Sequence, residues 1–320
     1  MIGNDVWQAA QYLRRGQLVA IPTETVYGLA GNALDGEAVA AIFETKGRPS
    51  FNPLIVHIKG VEEIEKYCET MPEPLQVLAK CFMPGPLTLL LNKKSIIPDL
   101  VTAGSERVAI RVPNHEMTLQ LLSQLNFPLA APSANPFGYI SPTTAQHVQN
   151  QLGDKIPYIL DGGPCTVGLE STIVGMGENG ITVFRKGGLA IEDIEALAGP
   201  VFVMEHSVSR PDAPGMLSSH YAPSRPMLIG DLSTLVQKFG SHKVAVISLT
   251  NRGIVLKDGF VKVLSAKGDL KEAAQNLFGV LRECDELPVQ MILAEWMPER
   301  GLGRAINDRL RRASVDISNI

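Results

Sequence analysis

The sequence predicts a two-part α/β protein: a twisted mixed sheet with flanking helices, followed by a smaller, parallel, Rossmann-like α/β domain. Short apolar runs typical of strands alternate with segments of helical periodicity along the chain. A stretch that contains Pro211, Pro214, Pro223 and Pro226 but few aliphatic residues interrupts this alternation. Hydrophobic residues are 45% of the 320 residues and charged residues 19%, an ordinary composition for packed cores. We therefore expect domains over 1–205 and 227–320, joined by an extended linker over 206–226.

The first part begins with a helix, which Asn4 or Asp5 can cap and which ends at Gly16. Helical periodicity predicts further helices at 35–44, 72–82 and 117–125. Ser141-Pro142 has the cap-then-proline order of another helix start. Apolar runs predict strands at 18–21, 54–58, 87–91, 108–112, 129–131, 158–160, 171–174 and 181–184.

The second part has the pattern of a small parallel sheet, because apolar runs and helical segments alternate again. Strands are predicted at 227–229, 244–247, 261–264 and 291–294. The clearest helix spans 269–282, and another spans 305–312.

Charge and cysteine content restrict the functional class. The net charge is −4, so no overall field attracts nucleic acid or anionic membrane. Residues 1–205 carry 14 Lys and Arg against 21 Asp and Glu, a balance of −7, whereas residues 206–320 carry 15 against 12. The four cysteines are widely spaced and form no C-x-x-C motif, so we expect reduced thiols, no zinc site and no disulfide framework. The order of charged and apolar residues at the N-terminus is not that of a signal peptide, and no apolar run is long enough for a transmembrane helix.

Two distant loops predict a phosphate site. The first places Lys46 and Arg48 on a loop bent by glycine and proline, with Asn52 close behind. The second places Ser133 and Asn135 on another proline-bent loop. Fixed positive charge suits phosphate, and short polar groups beside a close-packed backbone suit a nucleotide. If the fold joins these loops, the chain binds a nucleoside phosphate without a P-loop; the alternative is a solvated loop with unrelated charges.

Several strands also carry polar candidates. His57 lies within a strand, either as a core histidine or as a donor to a substrate carboxylate. Arg107 and Arg111 are four apart on one strand and share a face, which indicates either a structural ion pair or an anion site. Ser171 follows a glycine-rich entry that can hold polar atoms of an amino acid, or is part of a plain turn. Arg185 follows a strand and places another cation on a loop.

Two glycine patterns are not evidence of dinucleotide binding. Residues 175–180 match G-x-G-x-x-G, but a strand follows, so we interpret them as a hairpin turn. Gly301 and Gly303 precede a helix and could bind an anion, but we favour tight packing as their explanation. Metal-ligand spacing is absent from the sequence.

Taken together, these motifs resemble the threonylcarbamoyl-AMP synthase (YrdC-like) family in its long, two-domain form. The resemblance covers essentially the whole chain. It is carried by residues 21–29, 46–49, 52–57, 132–135 and 168–174, and by linker residues 213–216 and 220–223. Leu217-Ser218-Ser219 lacks the basic residues that some members carry there.

The resemblance implies a YrdC-like catalytic domain that makes threonylcarbamoyl-adenylate and pyrophosphate from L-threonine, bicarbonate or CO2, and ATP. The product serves N6-threonylcarbamoyladenosine formation at position 37 of tRNA. Lys46 and Arg48 would neutralise the phosphates, with Mg²⁺ on the triphosphate and no tightly bound protein metal. The other implied ATP-binding residues are Asn52, Arg107, Ser133, Asn135, Ser141, Arg185 and, as a lid on the linker, Tyr221. The implied threonine-binding residues are Thr25, His57, Arg111, Ala131 and Ser171.

The implied partners are the three substrates and the downstream tRNA threonylcarbamoyl-transfer proteins, in the cytoplasm and without a membrane; weak tRNA binding stays open. One alternative is a double-stranded-RNA or tRNA-binding module, which the acidic balance of residues 1–205 disfavours. Another is an enzyme that forms an adenylate from carbamoyl phosphate, which the lack of zinc-type cysteine clusters disfavours.

Overall fold

The computed structural model describes residues 1–204, 220–239, 243–256 and 258–315, which divide into two compact units. The first unit takes in Met1–Phe137 and 141–204, and the second takes in Gly138–Ile140 with the described residues from 220 onward. Residues 206–219 of the predicted linker, which spans 206–226, lie outside the described residues. None of the described helices is long and apolar enough to cross a membrane.

The first unit is built on a mixed sheet of eleven strands among its described residues. The strand order is β1-β8-β2-β3-β7-β4-β6-β5-β9-β10-β11, with parallel and antiparallel pairs. The strands are β1 (Ile2–Gly3), β2 (Val19–Ile21), β3 (Gly28–Asn32), β4 (Ile55–His57), β5 (Leu87–Asn92), β6 (Arg107–Arg111), β7 (Leu129–Ala130), β8 (Tyr158–Leu160), β9 (Thr172–Gly177), β10 (Gly180–Arg185) and β11 (Phe202–Val203). The predicted mixed sheet is therefore confirmed.

Helices of the first unit supply the apolar side chains that cover this sheet. They are α1 (Val6–Arg14), α2 (Gly36–Lys46), α3 (Ile64–Tyr67, after a 3₁₀ turn at Val61–Glu63), α4 (Glu73–Phe82), α5 (Asp99–Thr102), α6 (Glu116–Gln124), α7 (Ala145–Leu152) and α8 (Ile191–Ala198). The large core includes Ile42 from α2, Leu78 from α4 and Val148 from α7 together with Val56 and Ile110 from the sheet. Helices α1 and α6 instead cover the opposite face of the sheet, where Leu13 and Leu121 pack in a second cluster with Val19 and Ala30.

Among the helix boundaries that differ from the sequence predictions, two lie next to predicted site residues. The helix predicted over 35–44 is capped by Asp35, but it runs on to Lys46 and ends where Gly47 adopts the left-handed conformation (φ 62°). Lys46 thus belongs to the last helical turn instead of lying beyond it. The helix predicted to open at Ser141-Pro142 begins at Ala145, because the Thr144 side chain accepts a hydrogen bond from the His147 amide and caps it there.

The second unit contains a four-stranded, all-parallel sheet in the order β12-β15-β13-β14, as the sequence predicts. The strands are β12 (Met227–Gly230), β13 (Val244–Ser248), β14 (Gly259–Val263) and β15 (Met291–Glu295), and the helices are α9 (Leu232–Phe239), α10 (Leu270–Glu286) and α11 (Gly303–Ala313). Residues 175–180 join β9 and β10 as an antiparallel hairpin, so the hairpin interpretation is also confirmed.

Candidate active site

The two predicted phosphate loops meet at Lys46. Its ammonium donates hydrogen bonds to the backbone oxygen of Ser133, at 2.5 Å, and to that of Asn135, although 87 and 89 residues separate these partners in the chain. The backbone oxygen of Lys46 in turn accepts the amide of Phe137. The expected convergence of the two loops is therefore confirmed.

The environment of Lys46 favours binding of an anion. Its side chain is buried, and burial together with the cation of Arg48 holds the pKa of the ammonium well below its ordinary value of 10.5. A phosphate beside Lys46 would add the negative charge that this site lacks and would stabilise the protonated amine.

Arg48 braces the loop that carries it. Its guanidinium donates to the backbone oxygen and the Oδ1 of Asn52, at 3.0 and 2.8 Å, and to the backbone oxygen of Pro53 at 2.8 Å. The Nδ2 of Asn52 is buried and has no hydrogen-bond partner among the described residues. Because a buried amide donor is costly when unpaired, Asn52 is well placed to meet a ligand.

One face of the sheet carries four of the polar candidates. A small apolar cluster on this face comprises Ile55, Leu90, Ala109, Ile173 and Phe184, apart from the main core. Side chains two positions apart on a strand share a face. The same face therefore presents His57 from β4, Arg107 and Arg111 from β6, Thr88 from β5, and Ser171 from the entry to β9. The predicted common face of the two arginines is consistent with this arrangement.

His57 is neutral in this setting. Its ring is buried, and its Nδ1 lies 3.3 Å from the backbone oxygen of Ile55. Burial lowers the pKa of His57 to about 3, and the cation of Arg111, which lies opposite it in the β4–β6 register, adds to the effect. The ring can thus hydrogen-bond a substrate but carries no charge near neutral pH.

This neutral histidine predicts acid sensitivity. An unfolded histidine binds its proton near pH 6.5 but the folded one only near pH 3, so between these values the unfolded state binds more protons and stability falls as pH falls. The loss attributable to His57 is about 2 kcal/mol between pH 7 and pH 5. Urea unfolding at pH 5 and pH 7 should show His57→Asn losing about 2 kcal/mol less than the parent protein on acidification; equal losses would contradict the assignment.

Arg111 faces a buried acid that the sequence analysis did not single out. Glu24 Oε1 lies 2.7 Å from Arg111 Nη2, and both side chains are about 95% buried. The second oxygen of Glu24 accepts the amide of Asn114 at 3.0 Å. The structural ion pair considered for Arg111 is therefore present, and whether Arg111 also serves as an anion site is a separate question. The signal in the sequence that could have identified Glu24 is its position in a loop between the buried segments 18–21 and 26–30.

Ser171 lies in a hydrogen-bonded chain. Its hydroxyl is 2.6 Å from that of Thr88, and the Arg185 guanidinium donates to its hydroxyl and to its backbone oxygen, at 3.1 and 2.8 Å. A register irregularity between Val183 and Arg185 interrupts the β9–β10 ladder here. Thr88 is buried on β5 and was not predicted, because a threonine in an apolar strand has no distinguishing pattern.

Thr25, Ala131 and Ser141 also have hydrogen-bond partners. The Thr25 hydroxyl is 2.8 Å from that of Thr23, and the Ala131 amide donates to the backbone oxygen of Ile55. The Ser141 hydroxyl donates to the carboxylate of Glu170 at 2.6 Å. Glu170 is buried and is a second acid that sequence reasoning missed, although it lies within a quoted motif.

Arg107 and Tyr221 each contact an aromatic side chain. Arg107 stacks on Phe184, 5.0 Å from the ring centroid, and lines a cleft of about 450 Å³ with the β9–β10 hairpin and residues 202–204. Tyr221 belongs to the second unit, where its 1%-exposed ring stacks on Phe278 and lies beneath Arg312. Its predicted role as a lid stays a prediction.

Comparisons with known proteins agree with this architecture. The Sua5–YciO–YrdC family model described as "Telomere recombination" matches residues 11–187, and the model of the threonylcarbamoyl-AMP synthase C-terminal domain matches residues 189–315. Threonylcarbamoyl-AMP synthase of Pyrococcus abyssi is 43% identical over 96% of this chain and 93% of its own length, and that of Bacillus subtilis is 41% identical over 96% and 92%. The crystal structure of P. abyssi Sua5 complexed with L-threonine has a TM-score of 0.91 and 42% identity, covering 98% of this chain and 97% of that one.

The curated relatives are threonylcarbamoyl-AMP synthases, which are nucleotidyltransferase-type enzymes, so the chain is an enzyme of this type within the Sua5–YciO–YrdC group. More closely, the chain belongs to the threonylcarbamoyl-AMP synthase family, in the form that carries a second, C-terminal domain. The family resemblance seen in the sequence motifs is thereby confirmed.

Proposed function

We propose that this chain is an L-threonylcarbamoyladenylate synthase, which converts L-threonine, bicarbonate or CO2, and ATP into threonylcarbamoyl-AMP and pyrophosphate for N6-threonylcarbamoyladenosine synthesis at position 37 of tRNA. Its membership of the family supports this activity. The observation that carries the proposal is the junction at Lys46, where the ammonium joins the Ser133–Asn135 loop beside the guanidinium of Arg48.

The nucleotide would lie against this junction. Lys46 and Arg48 would neutralise the triphosphate, and Asn52 offers its buried Nδ2. Ser133, Asn135, Ser141, Arg107 and Arg185 would orient the phosphates and ribose in the same proposal. Mg²⁺ would arrive on the triphosphate, because the side chains around Lys46 are mainly cations and amides whereas Mg²⁺ prefers phosphate and carboxylate oxygens.

L-threonine would bind on the adjoining sheet face. Arg111 is the cation for its carboxylate, and the neutral ring of His57 is a hydrogen-bond partner beside it. Ser171 and Thr25 supply hydroxyls, and the small Ala131 allows a close approach to the backbone. A carbamate oxygen of N-carboxythreonine then attacks the α-phosphorus of ATP, and pyrophosphate leaves. This step requires positioning and charge neutralisation more than covalent help.

The cellular setting follows from the same proposal. The adenylate is a hydrolysable mixed anhydride, so downstream threonylcarbamoyl-transfer proteins would take it over directly. We propose a cytoplasmic location, where tRNA and ATP are available.

A substrate-omission assay tests the activity. Purified protein is incubated with ATP, Mg²⁺, L-threonine and bicarbonate, pyrophosphate is measured, and the adenylate is identified by its mass. We expect pyrophosphate release that stops when threonine is omitted. Release that continues without threonine would exclude the synthase, and tight RNA binding without any turnover would favour the RNA-binding alternative.

A further inference from the structure

The contact between Glu24 and Arg111 combines proximity with poor alignment. Their nearest atoms are 2.7 Å apart, yet neither Glu24 Oε1 nor Arg111 Nη2 forms a hydrogen bond within the part of the chain that the structure describes. Both side chains are deeply buried. The two charges neutralise each other at this distance, but each atom keeps hydrogen-bonding capacity that nothing else in the described structure uses, and a ligand lying across the pair would take it up.

The pair also matches the charge pattern of one class of ligand. A free α-amino acid is a zwitterion whose carboxylate and ammonium are attached to the same carbon. A cation and an anion in contact, side by side, complement such a group. Glu24 is fixed by two hydrogen bonds. The Asn114 amide donates to its side-chain Oε2, and the Val167 amide donates to its backbone oxygen. Oε1 is thus held in place for a ligand.

Resting on the proposed function, we infer that Glu24 is a catalytic residue, which binds the α-ammonium of L-threonine through Oε1 while Arg111 binds the carboxylate, and which removes a proton from that ammonium. An ammonium has no lone pair and cannot attack CO2, so some group must deprotonate it before the carbamate can form.

The step balances as follows. The ammonium gives one proton to the Glu24 carboxylate, which leaves a neutral amine and a carboxylic acid. The nitrogen lone pair forms a bond to the carbon of CO2, and one carbon–oxygen π pair moves onto oxygen. The nitrogen then loses its second proton to solvent, Glu24 releases the first, and the product is the carbamate that attacks ATP.

The groups that lie around Glu24 come from two strands and a loop. They are Arg111 on β6 and Cys165 on the preceding loop of β9, with His57 beside Arg111 on β4. Burial, with a contribution from Glu24, raises the pKa of the Cys165 thiol to about 12, and burial lowers the pKa of His57 to about 3. A pH effect of changing Glu24 between pH 6 and pH 8 therefore reports the threonine amine.

The test compares Glu24→Gln with the parent protein in the complete reaction. We expect kcat/KM for threonine to fall by about 100-fold at pH 7, with KM for ATP unchanged within about twofold. Without the base, the variant depends on free amine from solution. The ratio of variant to parent rate should therefore rise about tenfold per pH unit between about pH 6 and pH 8. Glu170→Gln, the matched change at the other buried acid, should give a ratio that does not vary with pH.

A binding measurement keeps the inference testable if Glu24→Gln folds poorly. By calorimetry, the parent protein should bind threonine at least tenfold more tightly than 3-hydroxybutyrate, the analogue without the amine. For Glu24→Asp, which keeps a carboxylate, the ratio of variant to parent rate should not vary with pH. Equal binding of the two ligands, or a pH-independent ratio for Glu24→Gln, would overturn the role of Glu24. A parent protein that releases no threonine-dependent pyrophosphate would instead overturn the proposed function.

Discussion

Arg48→Ala will slow threonine-dependent pyrophosphate release by about 100-fold or more, the range expected when one fixed group that stabilises transition-state charge is removed. The guanidinium is held by Asn52 and by the backbone oxygen of Pro53, so its charge is positioned before ATP arrives. Positioning in advance lowers the entropy cost of neutralising phosphate charge. Initial rates at saturating substrates, with melting temperatures measured alongside, provide the test.

Two further variants separate charge from loop bracing. Arg48→Lys keeps the positive charge but cannot reproduce three hydrogen bonds from one planar group, so we expect an intermediate rate. Lys59→Ala removes a partly exposed cation that pairs with Glu63 away from these loops, and it should leave the rate unchanged. Near-normal turnover by Arg48→Ala would show that Arg48 does not act on the nucleotide.

Lys46→Met should have an effect of similar size and should also change proton binding. In the free protein, burial and Arg48 keep the pKa of Lys46 low; a bound triphosphate would raise it. The complex then binds more protons than its separate components, so ATP binding takes up protons at pH values between the lowered pKa and 10.5. Methionine preserves the approximate length of the side chain but cannot titrate.

Calorimetry in buffers of different ionisation enthalpy measures this uptake directly. We expect uptake with the parent protein, little with Lys46→Met, and a rate about 100-fold lower for the variant. Undiminished proton uptake in the variant would mean that another group titrates, and Lys46 would then be charged already in the free protein.

Local sequence signals located most of the elements. Asp5, one of the two cap candidates in the sequence, caps α1, since an acceptor side chain before an apolar helical face has few other interpretations. Strand β3 (Gly28–Asn32) was not predicted, because two glycines in five residues give a weak strand pattern. Only its pairing with β2 and β7 makes this segment a strand.

The candidate site likewise combines residues that local signals identify with contacts that local signals do not specify. Lys46, Arg48, Ser133 and Asn135 could be found from residue type and loop composition, because fixed cations and short polar groups on bent loops suit phosphate wherever they occur. Their contact could not be derived, since it depends on how α2 and the segment after β7 meet in the folded chain.

The sequence alone determined the α/β class and the separation into two parts, because these depend on periodicity and composition, and its cations predicted an anionic ligand. Only the tertiary structure paired Glu24 with Arg111 and Thr88 with Ser171. These partners lie 83 or more residues apart, and strand register and loop packing, which no local pattern specifies, bring them together.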